Sequence, residues 1–280
     1  MDERSRNSGE DDSSKGISDT EVRDVEELST PRTPVIYEVV RRLGDEEMER
    51  PLTSLWWSGV AAGVSMSFSL LAQSALEAYL PEAGWKPLVS SMGYTVGFLM
   101  VVLGRQQLFT ESTITVVLPV LKDFTGKNVF NLARLWTIVL VANLVGTLFA
   151  AVFWRFTPAM PAEFYPAAVK LSAALTHLGW WEMLLRAIGA GFLIASMVWM
   201  IPTAESGKFA VIALLTYLIS VAGFTHVVAG SMEAYVLALF GQWEWWRVIT
   251  NFIIPTLIGN IIGGTALFAA ISHAQVMKEI

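Results

Sequence analysis

Apolar residues dominate the chain after residue 50 and fall into six long stretches. These stretches cover residues 53–76, 88–103 with a continuation at 112–121, 130–154, 181–201, 209–240 and 248–271. A helix needs about 20 mostly apolar residues to cross the hydrocarbon core of a bilayer. The pattern therefore predicts an all-α membrane protein with six transmembrane helices, in a transmembrane domain over residues 51–275.

Polar residues and glycines interrupt the second and the fifth stretch. The second is interrupted at Gly104-Arg105-Gln106-Gln107 and the fifth at Ala222-Gly223-Phe224-Thr225-His226. Irregular backbone at membrane depth is tolerated only where it is buried in protein or lines a cavity. Both interruptions are therefore predicted to be helix breaks beside a pore.

The N-terminal 50 residues have a different composition. They hold 15 of the 25 acidic and 8 of the 19 basic residues, although only 16% of the whole chain is charged. Residues 1–34 carry too little apolar surface to offset their ordering entropy, so we predict a disordered acidic cytoplasmic tail. Residues 35–50 place Val35, Val39 and Leu43 on one helical face and charges on the other. This pattern predicts an amphipathic cytoplasmic helix lying on the membrane or on the rest of the protein.

The basic residues of the loops predict the orientation of the chain. Cytoplasmic loops carry an excess of Lys and Arg. If the N-terminus is cytoplasmic, the inner segments carry Arg41, Arg42, Arg50, Lys122, Lys127, Arg134, Lys208 and Lys278, and the outer ones only Lys86, Arg155, Lys170 and Arg247. Both termini, including residues 276–280, are therefore predicted to be cytoplasmic.

Short segments recur in the same order in the two halves of the chain. Those of the first half are Gly59-Val60-Ala61-Ala62-Gly63, Phe109-Thr110 and Asn143-Leu144-Val145-Gly146, and their counterparts are Gly189-Ala190-Gly191, Phe224-Thr225 and Asn260-Ile261-Ile262-Gly263. Three spans in each half require the second half to be inverted, and inverted repeats with broken helices place a solute site near the bilayer midplane. The alternative is that small residues recur because they let helices pack closely.

His226 and Thr110 are the candidate residues of a central pore. An ionisable side chain inside a span is a functional candidate, and an imidazole can exchange a proton with a passing weak acid. Thr110 would face His226 if the repeat is real. The alternatives are a neutral histidine bonded to a neighbouring helix and a threonine bonded to its own helix.

Further polar residues lie close to the breaks. Arg105 and Glu111 could pair with each other or, with Thr225, form a water-filled vestibule or gate. Asn143 and Asn260 are expected to have a structural role, with hydrogen bonds between helices or to the backbone. The chain has no cysteine and three scattered histidines, so no disulfide, metal site or cofactor is predicted. No catalytic constellation indicates an enzyme, and the net charge of −6 argues against nucleic-acid binding.

Three segments resemble the formate/nitrite transporter family. They are Gly97-Phe98-Leu99 running to Leu108-Phe109-Thr110, Val221-Ala222-Gly223-Phe224-Thr225-His226, and the run from Ile254-Pro255-Thr256 to Gly263-Gly264. The resemblance covers about residues 50–275 and is greatest to a branch of bacterial inner-membrane proteins. It implies an aquaporin-like fold with an inverted 3+3 repeat, a homopentamer with one pore in each protomer, and small monovalent anions such as formate or nitrite as substrates.

The resemblance also implies roles for individual residues. His226 and Thr110 correspond to the central histidine and threonine, and Tyr94, Phe98, Ile194 and Ile219 correspond to the apolar constrictions. An apolar constriction disfavours a bare anion, which would have to lose its water. The family usually has a glutamate at the position of Thr225 and asparagines at the positions of Gly191 and Gly230, so the substrate stays open.

Two other functions are compatible with the sequence. The missing polar residues around His226 leave room for a pore for small neutral solutes. The acidic tail is compatible with a scaffold that transports nothing and recruits a partner. The resemblance favours a channel or a proton-coupled transporter for small monovalent anions.

Overall fold

The structure, a computed structural model, describes Ser18, Glu21 and residues 31–279 of the 280-residue chain. Most of the predicted acidic tail, residues 1–34, lies outside the described residues. Between residues 33 and 279 the chain forms helices joined by turns, without any strand. This agrees with the predicted all-α class.

The first helix, α1, covers Thr33–Glu49. It buries Tyr37, Val40, Gly44 and Met48 at the spacing of one helical face. Gly44 allows close packing, because a Cβ there would lie 1.9 Å from the backbone oxygen of Thr115. The helix therefore lies on the rest of the protein through one face, while Val35, Val39 and Leu43 stay exposed.

The remaining helices follow in chain order. They are α2 (Leu52–Tyr79), α3 (Lys86–Ser90), α4 (Thr95–Leu103), α5 (Phe109–Thr115), α6 (Val117–Lys122), α7 (Gly126–Phe156), α8 (Phe164–Ala173), α9 (Trp180–Met200), α10 (Lys208–Val221), α11 (Val227–Leu239), α12 (Trp245–Arg247), α13 (Ile254–Ile261) and α14 (Ala270–Val276). A 3₁₀ turn at Ser91–Tyr94 joins α3 to α4, and π-helical segments at Val248–Ile253 and Ile262–Ala269 make α12 to α14 continuous.

Five helical segments of the described chain are long and apolar enough to cross a membrane. They are Leu52–Tyr79, Lys86–Leu103, Gly126–Phe156, Trp180–Thr203 and Trp245–Val276. The predicted fifth span is divided into α10 and α11, which are 14 and 13 residues long and flank the break at residues 222–226. The count of six spans and the inverted orientation of the halves stay predictions.

Glycines bring two pairs of long helices into close contact. A Cβ on Gly63 of α2 would lie 2.2 Å from the backbone oxygen of Asn143, and one on Gly146 of α7 would lie 2.3 Å from that of Val60. In the second half, a Cβ on Gly191 of α9 would lie 2.3 Å from the backbone oxygen of Asn260. Only glycine fits at these crossings, which hold the two asparagine-bearing helices beside the breaks.

Candidate functional site

The two helix breaks have the same backbone geometry. Two residues after the end of α4, Arg105 lies in the left-handed region at φ 50°, and two residues after the end of α10, Gly223 does so at φ 65°. In the first break the backbone N–H of Gln106 donates to the Val101 carbonyl. In the second the backbone N–H of Phe224 donates to the Ile219 carbonyl, and both distances are 3.0 Å. This is the Schellman arrangement that terminates helices, so each break is a defined stop followed by a new helix.

An asparagine side chain supports each break from a neighbouring helix. Asn143 Oδ1 accepts from the Phe109 amide at 2.9 Å, and its Nδ2 donates to the carbonyls of Gly59 and Gln107 at 2.8 and 2.9 Å. Asn143 is fully buried. One side chain thereby pairs two backbone groups that the break would otherwise leave unsatisfied, the Gln107 carbonyl and the free N–H at the start of α5, and also bonds to the Gly59 carbonyl of α2.

Asn260 repeats this arrangement at the second break. Its Oδ1 accepts from the Val227 amide at 2.9 Å, and its Nδ2 donates to the carbonyls of Ala187 and Thr225 at 2.8 and 3.1 Å. Like Asn143, it is fully buried. Both breaks are thus held open by the same side-chain chemistry.

These hydrogen bonds fix which residues of the two halves correspond. Gln107 corresponds to Thr225 and Phe109 to Val227, because each pair bonds to the same atoms of its asparagine. The sequence alignment of Phe109-Thr110 with Phe224-Thr225 is therefore wrong by three residues, and the shared Phe-Thr dipeptide is coincidental. The match of Asn143 with Asn260 agrees with the structure.

Thr110 and His226 meet where the two breaks approach each other. Thr110 lies in the first turn of α5, and His226 is the residue before α11. The Thr110 Oγ1 to His226 Nε2 distance is 2.7 Å, and the two residues are 0% and 1% exposed. The breaks therefore place a hydroxyl and an imidazole in direct contact at the centre of the bundle.

The hydrogen bonds of His226 define its tautomer. The Ala229 amide donates to His226 Nδ1 at 3.2 Å, so Nδ1 must carry a lone pair. A neutral imidazole then carries its proton on Nε2 and donates it to Thr110 Oγ1. The Thr110 hydroxyl, which accepts this bond, keeps its own hydrogen free for a further acceptor.

One predicted constriction residue, Phe98, packs against His226 of this pair. Phe98 and Tyr94 have ring centroids 5.2 Å apart, and the centroid of Phe98 lies 5.1 Å from that of His226 in an edge-to-face arrangement. Phe98, Ile194 and Ile219 are fully buried in one apolar cluster that also contains Tyr94. Their role as constrictions stays a prediction.

A cavity of about 410 Å³ leads to His226 from one end of the bundle. We call it the vestibule. Its lining includes Glu77, Lys86, Tyr94 and Glu233 in addition to His226. Glu77 lines the mouth of the vestibule and lies near the end of the 28-residue helix α2. Leu52, the first residue of α2, follows α1 closely in the chain, and the distance from Leu52 to Glu77 along the helix axis is about 38 Å. The vestibule therefore opens at the end of the bundle opposite α1.

The three predicted vestibule or gate residues lie in different places. Arg105 is exposed, whereas Glu111 on α5 has a buried Oε1 without a hydrogen-bond partner among the described residues. Within residues 31–279, no ion pair forms between Arg105 and Glu111. Thr225 lines the vestibule, but its hydroxyl donates to the Met183 carbonyl at 2.9 Å. The structure thus does not bring the three residues together.

The sequence analysis missed several polar residues of the site. Gln73 Nε2 donates to Ser220 Oγ at 3.1 Å across the vestibule. Lys86 and Lys170 both pair with Glu77 at its mouth, at 3.3 and 2.8 Å. Glu233 is an acidic residue within the apolar helix α11. The sequence could have indicated Glu233 as a site residue, because it lies seven residues after His226 and residues at that spacing share a helical face.

Broken helices that meet at a buried polar pair below a cavity are typical of membrane proteins that transport small solutes. The family model described as formate/nitrite transporter matches residues 34–274. The chain therefore belongs to the formate/nitrite transporter family.

Individual relatives support this assignment. The chain is 43% identical over 249 residues to the inner membrane protein YfdC of Escherichia coli (strain K12), covering 89% of this chain and 80% of the relative. It is 26% identical to the formate channel BtFdhC of Bacillus thuringiensis, covering 87% of this chain and 95% of that one. A solved pentameric formate channel with formate bound has the same fold, with a TM-score of 0.68, 20% identity and coverage of 81% and 98% of the two chains.

Proposed function

We propose that the protein is a channel or proton-coupled transporter that carries small monovalent anions of weak acids, such as formate, across a bacterial inner membrane. The observation that carries the proposal is the contact between Thr110 and His226 below the vestibule. A relative named as a formate channel and the family membership support the substrate class. The relative described as an inner membrane protein supports the location.

The chemistry of this pair suits a weak acid. An anion that reaches the centre meets the free Thr110 hydroxyl as a hydrogen-bond donor. Through that hydroxyl it is linked to the Nε2 proton of His226. Once the ring has taken up a proton at Nδ1 from vestibule water and given up the Ala229 contact, the Nε2 proton can pass to the hydroxyl as the hydroxyl proton passes to the anion, which leaves a neutral imidazole. The resulting neutral acid crosses apolar surroundings such as Phe98 and Ile219 without the cost of stripping water from a charge.

The orientation and assembly belong to the same proposal. The loop charges favour cytoplasmic termini, which makes the vestibule the outer entrance. A homopentamer, each protomer with its own pore, is proposed because a pentameric formate channel has the same fold. Size-exclusion chromatography with light scattering in detergent would show five copies, and a monomer would contradict this assembly.

Stopped-flow uptake by proteoliposomes tests the proposed function. Purified protein is reconstituted, and uptake of formate, nitrite and glycerol is compared with that of protein-free liposomes between pH 5 and 8. We expect formate or nitrite flux above background that rises as the pH falls. Glycerol flux alone would show a pore for neutral solutes, and the absence of all three fluxes would favour a scaffold.

A further inference from the structure

Glu233 is the one residue between Val227 and Ala238 on α11 that is not buried. All its neighbours on this helix pack against the protein, including Met232 and Ala234 at 0% exposure. Glu233 lines the vestibule together with His226. The exposed part of the Glu233 side chain therefore faces the vestibule, and its carboxyl group lies on the path to Thr110 and His226.

The same face of α11 joins Glu233 to His226. His226, Gly230 and Glu233 are spaced by four and three residues, so they lie on one side of the helix, and all three line the vestibule. Gly230 carries no side chain, and the Phe252 ring, which also lines the vestibule, packs against it, since a Cβ at Gly230 would lie 2.5 Å from that ring. Seven residues of helix correspond to about 10 Å along its axis. Glu233 thus stands about two turns above His226.

The other charges of the vestibule are paired. The titratable side chains that line it with Glu233 are Glu77, Glu82, Lys86, Tyr94, Lys170, Arg186 and His226. Lys86 and Lys170 each pair with Glu77 and Glu82, and Arg186 pairs with Glu182 at 2.7 Å. Within residues 31–279, Glu233 is therefore the acidic residue of the vestibule lining that has no cationic partner.

We propose that Glu233 is a specificity-determining residue that makes entry into the pore depend on protonation. The inference rests on the proposed function. Ionised Glu233 repels a bare anion in the vestibule, because two like charges separated by 10 Å or less in a partly buried cavity oppose each other measurably. Protonated Glu233 removes this repulsion and offers an O–H donor to the entering anion. The residue thereby admits small anions when it is protonated at low pH, and when it is ionised at higher pH it excludes bare anions but not neutral acids.

The variant Glu233→Gln tests this inference because it removes the charge and keeps the shape. Formate uptake by proteoliposomes is measured at pH 5.5 and pH 7.5 in wild type and variant. We expect uptake at pH 7.5 to rise about fivefold, and the ratio of the two rates to fall about threefold, because the vestibule then admits the anion at any pH. Uptake of nitrate, the anion of a strong acid, should likewise rise at pH 7.5 in the variant.

Two further variants complete the test. Glu233→Asp keeps the carboxylate and should retain the wild-type ratio. Glu163→Gln removes an exposed carboxylate that does not line the vestibule and should behave as wild type. If Glu233→Gln does not assemble, Glu233→Ala adds no atoms and gives the same measurement.

The outcomes separate the two proposals. Wild-type formate flux with an unchanged ratio in Glu233→Gln or Glu233→Ala contradicts the role of Glu233 and leaves the proposed function intact. Reduced flux at both pH values in a correctly assembled neutral variant also contradicts it. Absence of formate flux in the wild type contradicts the proposed function and, with it, this inference.

Discussion

At the scale of the residue, the orientation of one imidazole decides what the pore can do. The Ala229 amide occupies His226 Nδ1, so the exchangeable proton of the neutral ring points at Thr110. A fully protonated ring would have to give up that amide contact, because both nitrogens would then be donors. The arrangement therefore opposes a permanent positive charge at the centre, and the ring is cationic only between the uptake of a proton at Nδ1 and the loss of the Nε2 proton through the hydroxyl.

Replacing Thr110 tests this proton path. Thr110→Val keeps the shape but removes the acceptor for His226 Nε2–H and the donor for the anion. We expect proton-coupled formate uptake to fall by at least about tenfold, as is typical when a proton-transfer group is lost. Thr110→Ser keeps the hydroxyl and should stay within about threefold of wild type by the same reasoning. A valine variant that transports formate as fast as the wild type contradicts the path.

At the scale of the element, the breaks depend on side chains from other helices. Asn143 on α7 satisfies the backbone around the first break, and Asn260 on α13 satisfies it around the second. Without them, the free backbone groups at the starts of α5 and α11 would be buried without partners. The position of Thr110 and His226 is therefore fixed from outside their own helices.

Asn143→Leu should accordingly destabilise the fold. It leaves the Phe109 amide and the Gln107 carbonyl without their side-chain partner in a buried site, at about 1–3 kcal/mol for each unsatisfied group. We expect a clearly lower melting temperature in detergent, measured by tryptophan fluorescence. Asn131→Leu on the same helix, at a partly buried position away from the break, is the control and should change the melting temperature little. Equal effects of the two changes would contradict the role of Asn143.

The docking of α1 should depend on pH through Glu47. Its Oε2 accepts from Thr115 Oγ1 at 2.6 Å, and burial raises the pKa of Glu47 from 4.5 to about 7. A carboxyl whose pKa is raised in the docked state costs nothing below pH 4.5, where it is protonated in both states. As the pH rises from there to about 7, the undocked state ionises more readily, so docking weakens and then levels off.

Hydrogen exchange along α1, corrected for the intrinsic pH effect, measures this docking. We expect stronger protection at pH 5 than at pH 8 in the wild type. Glu47→Gln should remove the difference, whereas Glu46→Gln, which changes an exposed neighbour, should keep it. A pH dependence that survives in Glu47→Gln would show that another group is responsible.

At the scale of the whole molecule, hydropathy was enough to locate the long apolar helices and the two breaks, but it did not predict α8. The predicted stretches 130–154 and 181–201 correspond to Gly126–Phe156 and Trp180–Met200, because a bilayer requires long uninterrupted apolar helices. The polar and glycine-bearing interruptions coincide with the ends of α4 and α10 for the same reason. The resemblance of three short segments then indicated the family that the comparisons show.

Other features could not be read from the sequence. The break at residues 104–107 was predicted, but the left-handed conformation of Arg105 was not, because that conformation is uncommon for a residue with a side chain. The repeat was misaligned because a Phe-Thr dipeptide carries less information than the hydrogen bonds of an asparagine. The contact of Glu47 with Thr115 joins residues 68 positions apart, and only the packing of α1 on the bundle brings them together.

The measurement that tests the central claim most directly is the pH dependence of formate uptake in His226→Asn. Wild-type and variant proteoliposomes are compared between pH 5 and 8 at equal protein incorporation. Because asparagine can hydrogen-bond to Thr110 but does not take up or release a proton between pH 5 and 8, we predict that wild-type uptake rises as the pH falls and that the variant loses this proton-coupled flux. Undiminished pH-dependent uptake in His226→Asn would contradict the role of the histidine.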